Sequence, residues 1–395
     1  MPILLITIAL SGLGFGLVLP GMPFVAQNLG ASPFWAAVLL GLYAWGQLIS
    51  TFVWGRLSDR IGRKPVLVIT NLGTAVAYLL MAFAPNVWVL AAGRALSGLM
   101  GGIAPAMAYV SDVTPPEKRA QGMGWVGAAM SFGFVIGPAI GGVLGGTEAG
   151  EASLFLPGIV AFLIAAGTAA GTVFLLPESL PPEKRTQGAA NHGGSKGPSL
   201  VELLRRPLMP QVLLLGFSVY VAMAMFETIF PFWAREQFNW GPREVGLSFT
   251  YLAVVVGIMQ GFVVGRLAPR FGEGRLATVA IASYAVGLVW MTQAPNWIWM
   301  LVGVTLTSAG GGTFLTSMSS FVSKTAGANE RGTVLGTYQS ASWGGRALGP
   351  IAAGAFYNTL GHQSPLLAGA VIMLPCVALL AWITARSAAA TERTV

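Results

Sequence analysis

Repeated long apolar runs leave this chain very few possible folds. Each run is about 20 to 27 residues long, which at a rise of 1.5 Å per residue lets a helix cross a hydrocarbon core of roughly 30 Å. With 9% charged residues and a mean hydropathy of +0.70, the sequence has too few polar groups to cover a soluble globule. It predicts an all-α polytopic membrane protein with twelve transmembrane helices. The predicted spans are 3–26, 33–55, 65–84, 87–110, 121–145, 152–176, 210–236, 244–266, 275–293, 297–323, 332–357 and 364–386.

The predicted spans form two sets of six, joined by a polar segment. Residues 177–209 contain prolines, charges and the long polar stretch of the sequence. We interpret them as a cytoplasmic linker between an N-terminal six-helix bundle at 1–176 and a C-terminal six-helix bundle at 210–395. The single cysteine, Cys376, lies in the last span, which excludes an intrachain disulfide and a cysteine-based metal cluster.

Basic residues are distributed unevenly over the predicted loops. If the N-terminus is cytoplasmic, only Arg235 and Arg243 of the 22 Lys and Arg residues fall in outer loops, and Arg94 and Arg346 lie within spans. The others fall in inner loops and the C-terminal tail, which satisfies the positive-inside rule. We therefore expect a multi-pass protein of the inner (cytoplasmic) membrane with both termini in the cytoplasm. The asymmetry also accounts for the net charge of +8 without a nucleic-acid partner.

A dense charged turn separates the second and third spans. It reads Gly55-Arg56-Leu57-Ser58-Asp59-Arg60-Ile61-Gly62-Arg63-Lys64, and a weaker copy begins 210 residues later as Gly265-Arg266-Leu267-Ala268-Pro269-Arg270-Phe271-Gly272. The glycines permit close packing and tight turning, and Asp59 lies at a helix end, where it can pair with basic neighbours. The repeat indicates an internal duplication. Alternatively, the basic residues of the turn serve only to fix the topology.

Three ionisable side chains lie well inside predicted spans. Arg94 is in the fourth span, Glu227 in the seventh and Arg346 in the eleventh. Charges at such depth are usually functional or paired, and a low dielectric favours the neutral carboxyl. Glu227 is therefore the candidate proton-coupling or cation site, with Arg94 and Arg346 adjusting its protonation. The alternatives are a structural pair of Glu227 with either arginine, and donation by Arg94 to backbone carbonyls.

Other polar and aromatic side chains within spans are candidates for a substrate cavity. Aromatic rings beside a carboxylate suit a lipophilic cation. Amide side chains in mid-membrane either line a cavity or hydrogen-bond a neighbouring helix. The aromatic residues are also ordinary apolar helix residues, and that alternative stays open. The candidates are Gln47, Tyr220, Phe226, Phe230, Trp233, Gln260 and Gln339.

Glycines and a proline follow a fixed spacing in the fifth span. They give one helix a smooth, bent face against which a helix of the other half can pack and slide. The residues are Gly124, Gly133, Gly137, Pro138, Gly141 and Gly142.

The charged turn resembles the G-x-L-x-D-R-x-G-R-[RK] loop between helices 2 and 3 of the major facilitator superfamily of transporters. The resemblance implies two pseudo-symmetric six-helix bundles and a charge relay that includes an acid at the inner end of helix 4. The run around Arg94 resembles the family's L-x-x-x-R-x-x-Q-G pattern, whose arginine is tied to proton coupling, with Ser97 in place of Gln. The residues to which the resemblance assigns gating are Gly55, Asp59, Arg60, Gly62, Arg63 and Asp112.

The glycine spacing resembles the pattern that marks the antiporter branch of this family, where it seals the outer side of the cavity. The first half is also similar to tetracycline efflux proteins, whose L-Y-A-x-x-Q pattern matches residues 42–47. The acids that those proteins carry in helices 1, 3 and 9 are absent, with Ser11, Ala77 and Ser283 in or near their places. The resemblance implies a twelve-helix drug:proton antiporter whose coupling relies on Glu227.

Together these patterns predict an exporter that exchanges an amphipathic or drug-like small molecule for protons through a cavity opening alternately to either side. The proton gradient is the energy source, and no cofactor is predicted. An enzyme is not expected, because both histidines fall in loops and the cysteine is isolated. The expected partners are a lipophilic substrate and membrane lipids, and a monomer is expected. The alternative is a facilitator or proton-coupled transporter of an anionic metabolite or lipid, with Arg94 and Arg346 as clamps.

Overall fold

The structure of the chain, a computed structural model, is largely helical in the part that it describes. That part comprises residues 2–115, 118–181, 185, 200–206, 208–325 and 330–392, and these residues form no β-strand. The predicted all-α class is confirmed. Most of the predicted linker at 177–209 lies outside the described residues.

The described residues of the first half form eight helices. Ser32 and Asn86 begin two of them as N-caps, whose side-chain oxygens accept from the backbone N–H of Trp35 and Val89 and so satisfy donors that the first turn leaves free. The helices are α1 Pro2–Val18, α2 Met22–Asn28, α3 Pro33–Ile61, α4 Arg63–Ala82, α5 Val87–Leu99, α6 Ile103–Val113, α7 Arg119–Gly145 and α8 Phe155–Leu175.

The second half continues with a short helix, seven longer ones and a π-helical segment, within the described residues. These are α9 Leu200–Leu204, α10 Met209–Phe238, α11 Pro242–Ile258, the π segment Met259–Val263, α12 Val264–Phe271, α13 Glu273–Thr292, α14 Trp297–Thr325, α15 Arg331–Leu360 and α16 Ser364–Glu392.

Three predicted spans are interrupted where the sequence weakens a continuous helix. The first breaks between Val18 and Met22, around Pro20, since proline cannot donate a helical hydrogen bond. The fourth breaks between α5 and α6 at residues 100–102, which include two glycines. The eighth contains the π segment, a feature found frequently at functional sites.

Within the described residues, eleven helical segments are long and apolar enough to cross a membrane. The remaining predicted span, 332–357, is covered by α15, a helix of 30 residues. Its many glycines and serines and its central Arg346 make it more polar than the others. The sequence criterion for a membrane helix therefore misses a segment that forms a helix of full length.

The chain divides by its packing into two compact units. The first comprises Met1–Ser195 with Ala234–Tyr251, and the second comprises Lys196–Trp233 with Leu252–Val395. Residues 234–251, which the sequence assigns to the C-terminal bundle, thus belong to the first unit. The cause is the contact of glycine backbones on α7 and α11 that is described below.

Candidate functional site

The second unit contains an ion pair between two of its long helices. Arg346 of α15 donates through Nη2 to both carboxylate oxygens of Glu227 on α10. The side chains of Arg346 and Glu227 are 34% and 42% exposed, although both residues lie far from the ends of their helices. The pairing that sequence analysis left open is therefore present, and the rest of the chain covers neither side chain completely.

Glycines on α15 bring it close enough to α10 for this pair to form. A Cβ on Gly345 would overlap the carbonyl oxygen of Phe217, and one on Gly349 would lie 2.7 Å from the carbonyl oxygen of Val221. Only glycine lets the two backbones approach so closely. The ion pair therefore depends on small residues one position before and three positions after Arg346.

Aromatic side chains surround the ion pair. The Arg346 Cζ lies 5.8 Å from the centre of the Trp343 ring, which is within the range of a cation–π contact. The phenol groups of Tyr220 and Tyr284 interact electrostatically with both charges. Sequence analysis named Tyr220 but missed Trp343, whose spacing of three residues from Arg346 on one helix was an available signal.

The other aromatic candidates of α10 pack inside the second unit. Phe226, Phe230 and Trp233 are 2%, 1% and 1% exposed. Their rings contact each other in sequence, with centroids 5.6 Å apart for the first two and 6.2 Å apart for the last two. This packing favours the interpretation as ordinary apolar residues. Contact of these rings with a substrate stays a prediction.

The three amide candidates lie in different environments. Gln47 is 3% exposed and lies against the backbone of Gly101; its Oε1 has no hydrogen-bond partner among the described residues. Gln260 is half-buried within the π segment, and Gln339 is exposed on α15. Their role in a substrate cavity stays a prediction.

The first unit holds its own buried arginine in a different setting. Arg94 of α5 is 3% exposed, and its Cζ lies 5.0 Å from the centre of the Phe15 ring and 4.8 Å from that of Tyr43. Its buried Nε has no hydrogen-bond partner among the described residues. In the described part of the chain, no carboxylate or backbone carbonyl pairs with its guanidinium. The predicted donation to backbone carbonyls is therefore not observed.

Close packing of three helices places the aromatic rings on Arg94. A Cβ on Gly98 of α5 would overlap the carbonyl oxygen of Tyr43 on α3, so glycine is needed there. Phe15 reaches the same place from α1, with its ring centroid 4.6 Å from that of Tyr43 and 5.2 Å from that of Phe134. Phe15, Tyr43 and Phe134 are half-buried, whereas Arg94, which contacts the first two rings, is buried.

The charged turn of the first unit is organised around Arg63, which is 8% exposed. Its Nη1 lies 2.6 Å from Asp59 Oδ1, and its Nε lies 3.1 Å from Asp112 Oδ2. The structure thus brings together the three residues to which the resemblance assigns a charge relay. Arg60 is exposed, and Gly55 has only an ordinary contact with its surroundings.

The glycines of α7 face two different partners. Gly133, Gly137 and Gly141 pack against the backbone of α1, whereas a Cβ on Gly142 would lie 2.6 Å from the carbonyl oxygen of Pro242 on α11. The carbonyl oxygen of Pro138 likewise lies against Gly246, and Gly124 has no neighbour within 4 Å. Only the end of the predicted sliding face therefore meets a segment from the second half of the sequence.

Comparison with known proteins shows which class of membrane protein has this arrangement. The family model described as the Major Facilitator Superfamily matches residues 4–287 and 212–394. This chain belongs to that superfamily. It is 31% identical over 392 residues to the class G tetracycline resistance protein of Vibrio anguillarum, with 96% of each chain covered. It is 28% identical over 386 residues to multidrug resistance protein 2 of Bacillus subtilis (strain 168). That alignment covers 96% of this chain and 94% of the Bacillus protein.

A solved structure agrees with this family on the fold. The human organic anion transporter MFSD10 (TETRAN) superposes with a TM-score of 0.70 at 22% identity, covering 96% of this chain and 98% of that one. The predicted resemblance to the major facilitator superfamily is confirmed. The chain is a multi-pass membrane transporter and not an enzyme.

A carboxylate that sequence analysis left in the linker completes the charged turn of this major facilitator protein. Glu178 accepts from the backbone N–H of Arg63 at 2.9 Å and from that of Lys64 at 3.3 Å, so it caps the start of α4, where a negative charge is favourable. Gly62 precedes this cap with a φ of +108°, and a Cβ there would collide with Glu178. Arg185 lies 3.6 Å from the same carboxylate.

The copy of the turn in the second unit has its own carboxylate. Gly272 takes the place of Gly62, with a φ of +81°, and Glu273 follows it at the start of α13. Glu273 pairs with Lys324 and accepts from Ser320 at 3.3 Å. The duplication predicted from sequence therefore extends to the conformation of the turn glycine, but the carboxylate comes from a different position.

One further ion pair of the second unit lies outside the membrane-crossing helices. Arg206 Nη1 lies 2.7 Å from Glu330 Oε2, and both side chains are about one-third exposed. The hydrogen bond from Arg206 lowers the pKa of Glu330 below its ordinary value. This pair joins the segment that precedes α10 to the residue that precedes α15, the two helices that carry Glu227 and Arg346.

Proposed function

We propose that this transporter exports an amphipathic, drug-like small molecule in exchange for protons by alternating access. The observation that carries the proposal is the Glu227–Arg346 pair, in which a titratable carboxylate lies inside a membrane-crossing helix and is nevertheless 42% exposed. Such carboxylates are rare in membrane helices unless they have a function. The names of the relatives, which refer to tetracycline and multidrug resistance, support a drug-like substrate.

Proton exchange acts through the ion pair. Ionised Glu227 holds Arg346 through both carboxylate oxygens. Once Glu227 binds a proton, the attraction between opposite charges is lost and only a hydrogen bond from the guanidinium to a neutral carboxyl remains. Arg346 then lacks a counter-ion in a region of low dielectric, so a different arrangement of α10 against α15 becomes favourable. Two arrangements that prefer different protonation states are what coupling to a proton gradient requires.

The experiment uses purified protein in liposomes with an imposed pH gradient and two probes, the lipophilic cation rhodamine 123 and the organic anion fluorescein. Glu227→Gln keeps the shape of the side chain but cannot ionise, so we expect at least a tenfold loss of gradient-driven transport in a protein that still folds and inserts. Glu151→Gln, at an exposed loop carboxylate, is the matched control. Undiminished gradient-driven transport by Glu227→Gln would overturn the proposal.

A facilitator or proton-coupled transporter of an anionic metabolite or lipid is the second candidate. It is favoured by Arg94, a buried cation with no carboxylate partner in the described part of the chain. Gradient-driven anion flux that survives Glu227→Gln but fails in Arg346→Ala would replace the first candidate by the second.

We also propose that the protein is a monomer. The distribution of basic residues supports our further proposal of an inner-membrane location with both termini in the cytoplasm. Cys376 is buried, so the background for thiol labelling is low. With an impermeant thiol reagent, we expect Arg243→Cys to react in intact cells and Arg56→Cys to react only after lysis. The reverse pattern would invert the topology.

A further inference from the structure

The guanidinium of Arg94 is the buried ionisable group that the proposed proton exchange does not use. It is 97% buried, from an exposed fraction of 3%, and its Nε has no acceptor within the part of the chain that the structure describes. Arg346, by contrast, has the carboxylate of Glu227. Among the described residues, the first unit supplies Arg94 with the rings of Phe15 and Tyr43 and with the buried phenol of Tyr78, but with no carboxylate.

These two rings offset only part of the cost of burying the charge. A cation–π contact contributes about 0.5 to 2 kcal/mol, whereas removing a charged side chain from water costs several kcal/mol after relaxation. The rings lie over the guanidinium, and its buried Nε–H has no acceptor among the described residues. A planar, two-oxygen anion is the group that satisfies such donors, because it accepts two parallel hydrogen bonds from one guanidinium.

The rings over Arg94 are partly accessible in a way that the guanidinium is not. Phe15, Tyr43 and Phe134 are half-buried and contact each other at 4.6 and 5.2 Å. They form an aromatic surface beside a buried positive charge. A ligand that fits this pair of features has an aromatic ring system and an attached carboxylate or comparable planar anion.

We propose that Arg94, with Phe15 and Tyr43, is the binding site for the anionic group of the substrate, which places aromatic organic anions and zwitterions among the transported compounds. This inference rests on the proposed transport function and specifies its substrate class. It assigns to Arg94 direct contact with the substrate in place of a part in proton coupling.

The test is equilibrium binding to purified protein at pH 8 without any gradient, measured by fluorescence anisotropy. Fluorescein and rhodamine 123 share one aromatic framework but carry opposite charges, so their comparison isolates the anion. We expect Arg94→Gln to weaken fluorescein binding at least tenfold and rhodamine 123 binding less than twofold. Arg94→Lys keeps the charge without the planar donor fork, so it should weaken fluorescein binding several-fold. Arg243→Gln, at an exposed arginine, is the matched control and should bind both probes like the wild type.

Three results would overturn the inference. They are absence of fluorescein binding to the wild type, equal weakening of both probes in a monodisperse Arg94→Gln protein, and unchanged fluorescein affinity in Arg94→Gln or Arg94→Lys. If Arg94→Gln does not fold, Arg94→Lys alone decides. Because the assay needs no proton gradient, its failure is separate from that of proton exchange, which is measured with Glu227→Gln.

Discussion

Each of the two units has an arginine inside a membrane-crossing helix, but the groups that contact its charge differ. Arg346 has a carboxylate partner, Glu227, and the pair is partly exposed. Arg94 is almost fully buried and has aromatic faces in place of an acid. A pair with its own counter-charge responds to protons, whereas a cation without one responds to an anionic ligand. The difference separates the two proposed tasks of the transporter, proton exchange and substrate recognition.

The internal duplication does not place the two arginines at corresponding positions. Gly133 and Gly137 of α7 are in register with Gly345 and Gly349 of α15, and the register places Phe134 where the second half has Arg346. Phe134 packs on Phe15 beside Arg94. The same glycine framework therefore positions an aromatic ring in one unit and a cation in the other.

The largest effect is expected from giving Arg94 the partner that it lacks. Phe15→Glu places a carboxylate beside the guanidinium and should compete with an anionic ligand, lowering fluorescein affinity about 100-fold, or roughly 2.7 kcal/mol. Phe15→Leu is the control that removes the ring without adding charge. If both variants bind fluorescein equally well in the anisotropy assay, charge compensation is not what distinguishes the two units.

The next effect tests whether both arginines depend on close helix packing. Gly98→Ala and Gly345→Ala each insert a Cβ against a backbone carbonyl, and overpacking of this kind costs about 1 to 3 kcal/mol. Gly171→Ala and Gly257→Ala are the matched controls, because nothing lies within 4 Å of either position. Unfolding in SDS should show lower stability for the first two variants only. Equal stability of all four would contradict the packing shown for α5 and α15.

A third prediction concerns the sign of a stability change. Arg346→Met leaves Glu227 without its partner and should destabilise the protein by about 1 to 2 kcal/mol, a discounted value because the pair is partly exposed. Arg94→Met removes a buried, uncompensated charge and should be neutral or stabilising. The free energies of unfolding in SDS should therefore change in different directions. A larger loss for Arg94→Met than for Arg346→Met would mean that Arg94 has a structural partner.

The smallest effect is expected at the exposed pair of the second unit. The pKa of Glu330 is lowered by Arg206, so the stability from this pair is present above the ordinary glutamate pKa of about 4.3 and is lost as the pH falls through the lowered value. Glu330→Gln should reduce the loss of stability below about pH 4.3, whereas Glu151→Gln should not. If Glu330→Gln leaves the loss of stability at acid pH unchanged, the Arg206–Glu330 pair does not stabilise the second unit.

Local sequence patterns predicted the helical class, the family and the residues of the charged turn, because hydropathy and spacing are properties of single segments. The partners of those residues follow from packing between distant segments. Glu178 caps a turn that lies more than a hundred residues earlier, and Tyr284 approaches Glu227 from a third helix. The glycines of α7 were predicted to pack against a helix of the other half, but their spacing could not indicate that three of them face α1.

The absence of a partner was equally beyond the sequence. Arg94 and Arg346 show the same local sequence pattern, a lone arginine in an apolar run. The sequence therefore predicted a role in proton coupling for both. Only the positions of Glu227 and of the aromatic rings distinguish them. The surroundings of each arginine depend on which helices the glycines allow to pack closely together.

The most direct measurement compares two modes of transport in one set of liposomes. Gradient-driven accumulation of fluorescein requires proton exchange, whereas exchange of labelled for unlabelled fluorescein at equal pH requires only binding and alternating access. We expect Glu227→Gln to lose accumulation at least tenfold and to keep exchange at the wild-type rate, and Arg94→Gln to lose both. Accumulation that persists in Glu227→Gln, or exchange that fails together with it, would contradict the assignment of proton coupling to the Glu227–Arg346 pair.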